Sequence, residues 1–399
     1  MNNEQALLTR RYDLDWLRVL VFGLLIFYHV GMLYVADWGY HYKSNYQSES
    51  LQSLMIFLNQ WRLPLLFLIS GIAIRFFLNK VSLVRFIGLR TLRLWVPLLF
   101  GIWVVVPPQL YVEMMAKGDL PAISYHEFYL AFFDLSHPYF ENYPSGIFPH
   151  VDVNHLWYIR ELWYFSIYLL LAYGLLSVVR LMPYLYAPFR NWSITVLFVV
   201  LVLVMSLLQL LVFPEGSEGT RKALGFSFLC WGFLMGWEYN LWQQLSQHRR
   251  RFLAIAVVSF MVLITYYHLY YTSSEPAQGL AYLLERLVVF TNRWAWIFAI
   301  LGYAHHHLNR PHRWLRYLNE AVYPYYILHQ TFIIVLAYVL SAYQLGPIIE
   351  PILVIVLTFL LCGLGFEIIR RSAVLRLLFG LKIEQPIKTK KELTPKMPN

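Results

Sequence analysis

The amino-acid sequence predicts an all-α polytopic membrane protein with about ten transmembrane helices and both termini in the cytoplasm. Of the 399 residues, 59% are hydrophobic and 14% are charged, whereas a soluble domain carries about 25% charged residues. Ten apolar runs are long enough to cross a bilayer. Lysine and arginine are concentrated in alternate connections between these runs, which indicates the orientation.

Each predicted span is a run of roughly 20 mostly apolar residues between polar or charged connections. The first run is longer than the apolar core of a cleavable signal peptide, and no small-residue cleavage site follows it. No connection has the length of a second domain, so we expect residues 1–381 to form one transmembrane domain. The ten spans lie near 16–36, 54–78, 94–112, 156–178, 191–213, 223–240, 253–272, 280–303, 317–341 and 347–369.

Two segments lie outside the predicted spans. The connection 113–155 is aromatic and contains four prolines, and we expect it to form an ordered loop on the outer side. The tail 382–399 is basic, and we expect it to be disordered in the cytoplasm.

The orientation follows from the distribution of positive charge. The terminal segments and four connections assigned to the cytoplasm hold 22 lysines and arginines, whereas the five opposite connections hold four. The net charge of +10 therefore reflects membrane topology. We expect the lipid bilayer, and not nucleic acid, as the partner of this charge.

The first span, within DLDWLRVLVFGLLIFYHV (13–30), carries two ionisable residues on one helix face. Arg18 and His29 are eleven residues apart, which on an α-helix separates them by roughly 16 Å and about 20° of rotation. Ionisable groups at membrane depth are costly unless paired or hydrated, so both are candidate functional residues. The structural alternatives are an interfacial arginine anchor and a hydrogen-bonded core histidine.

Three residues from other spans are predicted at the level of His29. With a rise of about 1.5 Å per residue, His329 in the ninth span, Arg62 in the second and Glu161 in the fourth fall within ~5 Å of that level. An ion pair of Glu161 with Arg62 or Arg160 is the structural alternative to a role in chemistry.

No metal site is predicted. The adjacent residues His305–His307 point to different helix faces, and no carboxylate is spaced to join them, so a solvated helix end is favoured. Cys230 and Cys362 lie inside apolar runs and are predicted to be small core residues.

Five segments carry recognisable motifs: LDWLRVLVFGLLIFYH (14–29), LPLLFLISG (63–71), RTLRLWVP (90–97), HLWYIRELWYF (155–165) and YPYYILHQ (323–330). In this order they resemble motifs of the integral membrane acyltransferase-3 family, whose first helix carries an arginine and a histidine separated by ten residues. The segment LFGLK (378–382) is similar to the family's ending. Within that family, the element HLWY and the short C-terminal end are most similar to succinyltransferases of osmoregulated periplasmic glucans, although the charged IRE at 159–161 departs from that pattern.

The resemblance implies transfer of an acyl group, acetyl or succinyl, from cytoplasmic acyl-CoA to a hydroxyl of an extracytoplasmic glycan or related polar acceptor. It implies a place in the bacterial cytoplasmic (inner) membrane and no bound cofactor, with acyl-CoA as co-substrate. By motif match, His29 is the catalytic base, and Arg18, Arg90 and Arg93 act at the acyl-donor side.

Elementary chemistry agrees with these roles. Histidine can take the proton of an attacking hydroxyl, and arginines at the inner side can hold the phosphates of CoA. A pantetheine arm of roughly 15–20 Å matches the distance between Arg18 and His29. Neither cysteine lies in a matching motif, which favours direct transfer over an acyl-enzyme.

We expect an acceptor to enter past His155, at the outer end of the fourth span, and to reach the level of Glu161, His329 and His29. Tyr326 and His329 share a face of the ninth span at i, i+3 spacing. His155, Glu161 and His329 are therefore predicted to line the acceptor path, with Glu161 or Tyr326 orienting one of the histidines.

Two other functions fit parts of the sequence. A secondary transporter also combines buried charges with about ten spans, but the internal symmetry and paired broken helices of such proteins are not found in this sequence. A non-catalytic receptor that binds a glycan through the aromatic outer loop is the second alternative.

Overall fold

A computed structural model describes residues 10–134, 136–143, 153–213, 218–236, 238–271 and 278–382. Over these residues the regular structure is helical, and the β-type pairing is an isolated bridge between Val35 and Ser48. The prediction of an all-α polytopic membrane protein is confirmed. The predicted disordered tail lies, after residue 382, outside the described residues.

Fourteen α-helices make up most of the described residues. A π-helix, Gly101–Val105, joins the third helix to the fourth, and a second π-helix, Tyr267–Tyr271, extends the tenth. In chain order, the α-helices are α1 (Tyr12–Tyr34), α2 (Leu51–Leu78), α3 (Leu83–Phe100), α4 (Pro107–Lys117), α5 (Tyr125–Ala131), α6 (Trp157–Val178), α7 (Met182–Asn191), α8 (Ile194–Leu211), α9 (Glu218–Met235), α10 (Tyr239–Tyr266), α11 (Gly279–His307), α12 (Leu315–Ser341), α13 (Gly346–Ile369) and α14 (Ala373–Leu378).

Local sequence signals explain where the helices of the outer connection begin and end. α4 begins at Pro107. Proline lacks a backbone N–H, and the first residue of a helix does not need one for an intrahelical hydrogen bond. It ends before Gly118, whose φ of 77° suits the left-handed residue after a helix. α5 begins at a capping box, in which the side chains of Ser124 and Glu127 each bind the backbone N–H of the other.

Nine helices in the described part of the chain are long and apolar enough to cross a membrane. The remaining predicted span, 223–240, corresponds to α9, which begins earlier and is charged in its first turns. α9 packs against α2 so closely that a Cβ on Gly71 or Gly232 would come within 1.9 Å of a backbone oxygen of the other helix. Because α9 follows α2 along its length, we take α9 as the tenth span.

The side chain of Arg75 on α2 caps the carboxyl end of α9. It donates to the backbone oxygens of Phe233 and Leu234 at 3.2 and 2.6 Å and pairs with Glu238 at 2.9 Å. Gly236 makes room for it, because a Cβ at that position would lie 2.5 Å from Cδ of Arg75. The carbonyl groups at the end of α9 thus have a buried cationic partner.

Helices α1, α3, α4, α6 and α12 surround the interior that carries the candidate site. α1 and α12 run in the same direction, since Arg18 contacts Asn319 near their first turns and the rings of His29 and His329 meet further along. The continuous α3–α4 segment runs in that direction too, and α6 runs opposite to it. These relative directions agree with the predicted topology, while the assignment of the inner side to the cytoplasm stays a prediction from charge.

Candidate active site

Three histidines from three segments meet inside the helical bundle. They are His29 on α1, His155 at the turn before α6, and His329 on α12, and we call them the histidine cluster. The ring centroid of His329 is 5.1 Å from that of His29 and 5.4 Å from that of His155. His155 and His329 are buried. The residues predicted at one level, His29 and His329, are thus neighbours.

His329 presents an unprotonated nitrogen in its neutral form. Its Nδ1 lies 2.7 Å from the backbone oxygen of Tyr326 and 3.2 Å from that of Tyr325. Because a carbonyl oxygen only accepts, Nδ1 carries the proton and Nε2 carries the lone pair. Among the described residues, this Nε2 has no hydrogen-bond partner. The lone pair of His329 can therefore accept a proton or a hydrogen bond from a ligand.

His155 has both ring nitrogens engaged. Its Nε2 donates to the backbone oxygen of Ile327 at 2.9 Å, and its Nδ1 lies 3.3 Å from the side-chain nitrogen of Gln109, which donates to it. The hydroxyl of Tyr326 donates to the backbone oxygen of His155 at 2.6 Å. Since neither ring nitrogen is free, His155 is suited to positioning its neighbours and not to taking a proton.

The structure places His155 deeper than the predicted outer boundary. The chain enters α6 through a buried 3₁₀ turn, Asn154–Leu156, in which Asn154 has a φ of 48°. Leu156 packs onto Gly101 at the start of the π-helix, where a Cβ would lie 2.4 Å from a methyl group of the leucine. This turn brings His155 to the level of His329, so His155 is a wall of the cluster and not its entrance.

A polar network that the sequence analysis did not identify holds His155. Gln109 on α4 donates to the hydroxyl of Thr331 at 2.6 Å, and Gln330 donates to the side-chain oxygen of Gln109 at 3.2 Å. Thr331 in turn donates to the backbone oxygen of Val105, in the π-helix, at 2.6 Å. The signal in the sequence for this network was the presence of polar side chains inside apolar spans. Their partners could not be predicted, because the wider turn of the π-helix changes which backbone and side-chain groups face α12.

His29 is contacted from the connection between α1 and α2. The hydroxyl of Tyr40 lies 3.3 Å from Nδ1 of His29. The residue before His29, Tyr28, stacks with Arg62 of α2, whose guanidinium carbon lies 3.3 Å from the ring centroid. A phenol therefore contacts the predicted base, and a buried cation lies on the ring of the residue before it. The contact from Tyr40 could not be predicted from helix periodicity because it comes from a connection.

Glu161 is buried but does not join the histidine cluster. Its carboxylate lies 3.2 Å from Nη2 of Arg160 and 3.9 Å from Nζ of Lys222 on α9. Within the described residues, the hydrogen bonds of Glu161 go to Arg160 and not to a histidine. The structure thus corrects the expectation that Glu161 orients a histidine. Of the two expected ion-pair partners, Arg160 contacts Glu161 and Arg62 does not, and Lys222 is a further partner.

The three arginines predicted at the donor side lie together, on the inner side of the histidine cluster. Their guanidinium groups are close enough for their positive charges to repel one another. The carboxylate of Asp15 lies 3.8 Å from the guanidinium group of Arg18. Such a group of guanidinium groups favours an anionic ligand. Their hydrogen bonds run from Arg18 to Asn319 at 3.3 Å, from Arg90 to the hydroxyl of Ser166 at 2.7 Å, and from Arg93 to the backbone oxygen of Gly380 at 3.0 Å.

A basic cavity of about 370 Å³ lies at the inner end of the bundle. It is formed by the start of α1 and the segment that leads into α12, the two helices that carry His29 and His329. Its lining includes four basic residues, Arg10, His312, Arg313 and Arg316. Multiply charged phosphate groups fit such a lining.

The residues considered for metal binding have other contacts. His305 pairs with Asp13 at 2.9 Å and so joins α11 to α1. Cys230 and Cys362 are free thiols. Among the described residues, no group of three or more His, Cys, Asp or Glu side chains is arranged to hold a metal ion.

A comparison with protein families finds one extended match. A family model described as an acyltransferase domain, of the acyltransferase-3 type, matches residues 11–367. The matched region begins just before α1 and ends within α13, so it contains the histidine cluster and the three donor-side arginines. Neither the curated proteins nor the solved structures contain a match.

Proposed function

The chain belongs to the acyltransferase-3 family and is an integral membrane acyltransferase, and we propose that it transfers an acetyl or succinyl group from cytoplasmic acyl-CoA to a glycan hydroxyl on the outer side. The acceptor is an extracytoplasmic glycan or a related polar molecule. The proposed location is the bacterial cytoplasmic (inner) membrane, because the excess of lysine and arginine then faces the cytoplasm.

One observation carries this proposal. The two helices that bring His29 and His329 together, α1 and α12, begin at the group of basic residues at the inner end of the bundle. α1 and α12 run side by side. Arg18 and His29 both lie on α1, eleven residues apart, and are therefore separated by roughly 16 Å of helix rise. The rings of His29 and His329 lie 5.1 Å apart at the deep end of this path. A donor with phosphates at one end and a thioester at the other fits that arrangement.

In the proposed reaction, His29 is the general base. The acceptor hydroxyl oxygen attacks the thioester carbonyl carbon while His29 takes the hydroxyl proton. The carbon–sulfur bond then breaks, and the proton passes from the imidazolium to the sulfur of CoA. His329 supplies the second lone pair beside His29, and it holds the acceptor hydroxyl in place for attack.

The donor and acceptor are proposed to approach from opposite sides. Arg18, Arg90 and Arg93 hold phosphates of CoA on the inner side, with the basic cavity at the inner end as the place of the nucleotide. On the outer side, His155 and Tyr326 form the wall against which the acceptor lies. Direct transfer is favoured because neither cysteine, Cys230 or Cys362, lies in a segment that resembles a family motif.

The test uses purified protein in detergent, with hydrolysis of acetyl-CoA and succinyl-CoA and transfer to a glucose oligosaccharide measured separately. His29→Ala is expected to lower both activities by at least about 100-fold, as for loss of a general base. His126→Ala, at an exposed position on α5, is the control and is expected to match the wild type. Thiol release from neither CoA ester, or uptake of a solute into proteoliposomes without acyl transfer, would contradict the proposal.

A further inference from the structure

Arg62 is a buried cation that forms no ion pair with the described part of the chain. It lies on α2, is 7% exposed, and stacks on the ring of Tyr28. Its Nε and Nη1 have no hydrogen-bond partner among the described residues. The carboxylate that the sequence offered as its partner, Glu161, is engaged by Arg160 and Lys222. A charge left in this state is costly at membrane depth unless a ligand completes it.

A cavity of about 530 Å³ lies beside this side chain, between α2, α9 and α11. Arg62, Arg221 and Arg293 line it, and among the residues that the structure describes the acidic residue of its lining is Glu218. That carboxylate is occupied, because Nζ of Lys222 lies 2.9 Å from it. The cavity therefore carries an excess of positive charge at its wall.

The lining changes in character from the mouth to the interior. Glu218 and Arg221 are exposed at the beginning of α9, whereas Arg62 and the ring of Phe228 are buried. Asn59 and Thr220 add neutral hydrogen-bonding groups. A ligand that enters from the exposed end of α9 thus meets polar groups first and Nε and Nη1 of Arg62 at depth.

We propose that this cavity is a subsite for a carboxylate group, with Arg62 as its innermost ligand. A guanidinium donates several hydrogen bonds in one plane, and two parallel bonds to a carboxylate are its strongest pairing. A dicarboxylate or an acidic sugar supplies this group, together with an apolar or hydroxylated chain that fits the remaining lining. Binding replaces the missing counter-charge of Arg62.

Two sources of the carboxylate are compatible with the site, and both rest on the proposed function. Tyr28, the ring under Arg62, precedes His29, so a carboxylate held by Arg62 is near the reacting groups. It belongs either to the far end of a dicarboxylic acyl chain on the donor or to an acidic sugar of the acceptor. The two sources differ in which substrate loses affinity when Arg62 is changed.

A binding experiment tests the site without relying on catalysis. Sodium succinate is expected to raise the unfolding midpoint of the purified wild-type protein, whereas neutral succinamide is not. Arg62→Gln is expected to remove the succinate effect. Arg249→Gln is the matched control, because Arg249 also lies over a tyrosine ring, 5.7 Å from the centroid of Tyr303, but away from this cavity. Succinate shifts of equal size in wild type and Arg62→Gln, or none in wild type, would overturn the proposal.

The two sources are separated by kinetics. If the donor carries the carboxylate, Arg62→Gln lowers kcat/KM for succinyl-CoA hydrolysis by roughly tenfold or more and changes acetyl-CoA hydrolysis little. If the acceptor carries it, hydrolysis of both esters is unchanged, and transfer to a glucuronate-containing oligosaccharide falls relative to transfer to a neutral one. Equal losses in all four assays would overturn a carboxylate subsite.

Further variants keep the test decisive. If Arg62→Gln does not fold, Arg221→Gln at the exposed mouth is expected to weaken the succinate effect, and an unchanged effect there would count against the site. Arg62→Lys, which keeps the charge without the planar donors, is expected to restore part of the binding. A succinate effect lost in Arg62→Gln, in a protein with no acyltransferase activity, would uphold the subsite and refute the proposed function.

Discussion

The hydrogen bonds of a buried histidine decide which of its nitrogens can react. In His329, Nδ1 is held by the backbone oxygen of Tyr326 at 2.7 Å, and Nε2 has no hydrogen-bond partner in the described part of the chain. In His155, Nε2 donates to Ile327 and Nδ1 accepts from Gln109. Two histidines that look equivalent in the sequence are therefore expected to respond differently to substitution.

Substitutions that imitate one nitrogen at a time exploit this difference. His329→Asn keeps a donor near the position of Nδ1 and loses Nε2, so we expect turnover to fall by about 100-fold with little loss of stability. His155→Gln keeps a donor near the position of Nε2, so we expect turnover within about fivefold of the wild type. The measurements are acyl transfer and thermal unfolding of the purified variants. Full activity in His329→Asn would exclude its lone pair from the reaction.

Tyr40 contacts the proposed base from outside the helices. Its hydroxyl lies 3.3 Å from Nδ1 of His29, so Tyr40→Phe removes one hydrogen bond and keeps the ring. We expect kcat to fall by about fivefold, the usual value of one such bond, with an unchanged KM for acyl-CoA. Tyr46→Phe, on the same connection, is the control. A change in KM without a change in kcat would instead assign Tyr40 to binding of the acyl donor.

At the level of elements, α3 brings two arginines to the donor side. Arg90→Gln and Arg93→Gln are each expected to raise the KM for acyl-CoA by roughly tenfold and to lower kcat less, because contacts to phosphate exist already in the bound ground state. Arg85→Gln, exposed on the same helix, is the control. The affinity for CoA itself is measured in parallel. An unchanged affinity in both variants would show that these arginines do not bind CoA and act only on membrane topology.

The packing of α9 against α2 depends on two glycines. A Cβ on Gly232 would lie 1.9 Å from the backbone oxygen of Leu68, and backbone cannot move aside as a flexible side chain can. We expect Gly232→Ala to destabilise the protein by about 1–3 kcal/mol or more. Gly174→Ala, at a position on α6 with no atom within 4 Å of the added Cβ, is expected to be neutral. Thermal unfolding in detergent compares the two, and equal midpoints would refute the close packing.

Over the whole molecule, the helices and the level of the residues that they carry could be predicted from the sequence. Apolar length gives the spans, and helix rise places His29 and His329 at one level. The depth of a residue does not tell which neighbouring helix its side chain faces. Arg62 and Glu161 were therefore expected as a pair, but their side chains contact different neighbours. The inward turn at His155 depends on a left-handed φ at Asn154, which no periodicity reveals.

The orientation in the membrane is a property of the whole chain and rests on its charge distribution. Single cysteines in a Cys230→Ala, Cys362→Ala background test it, at His126→Cys on α5 and at Lys80→Cys after α2, both exposed positions. We expect a membrane-impermeant maleimide to label position 126 in intact spheroplasts and position 80 only after permeabilisation. The reverse pattern would place the arginine group on the outer side, away from cytoplasmic acyl-CoA, and the donor path through Arg18, Arg90 and Arg93 would then have to be abandoned.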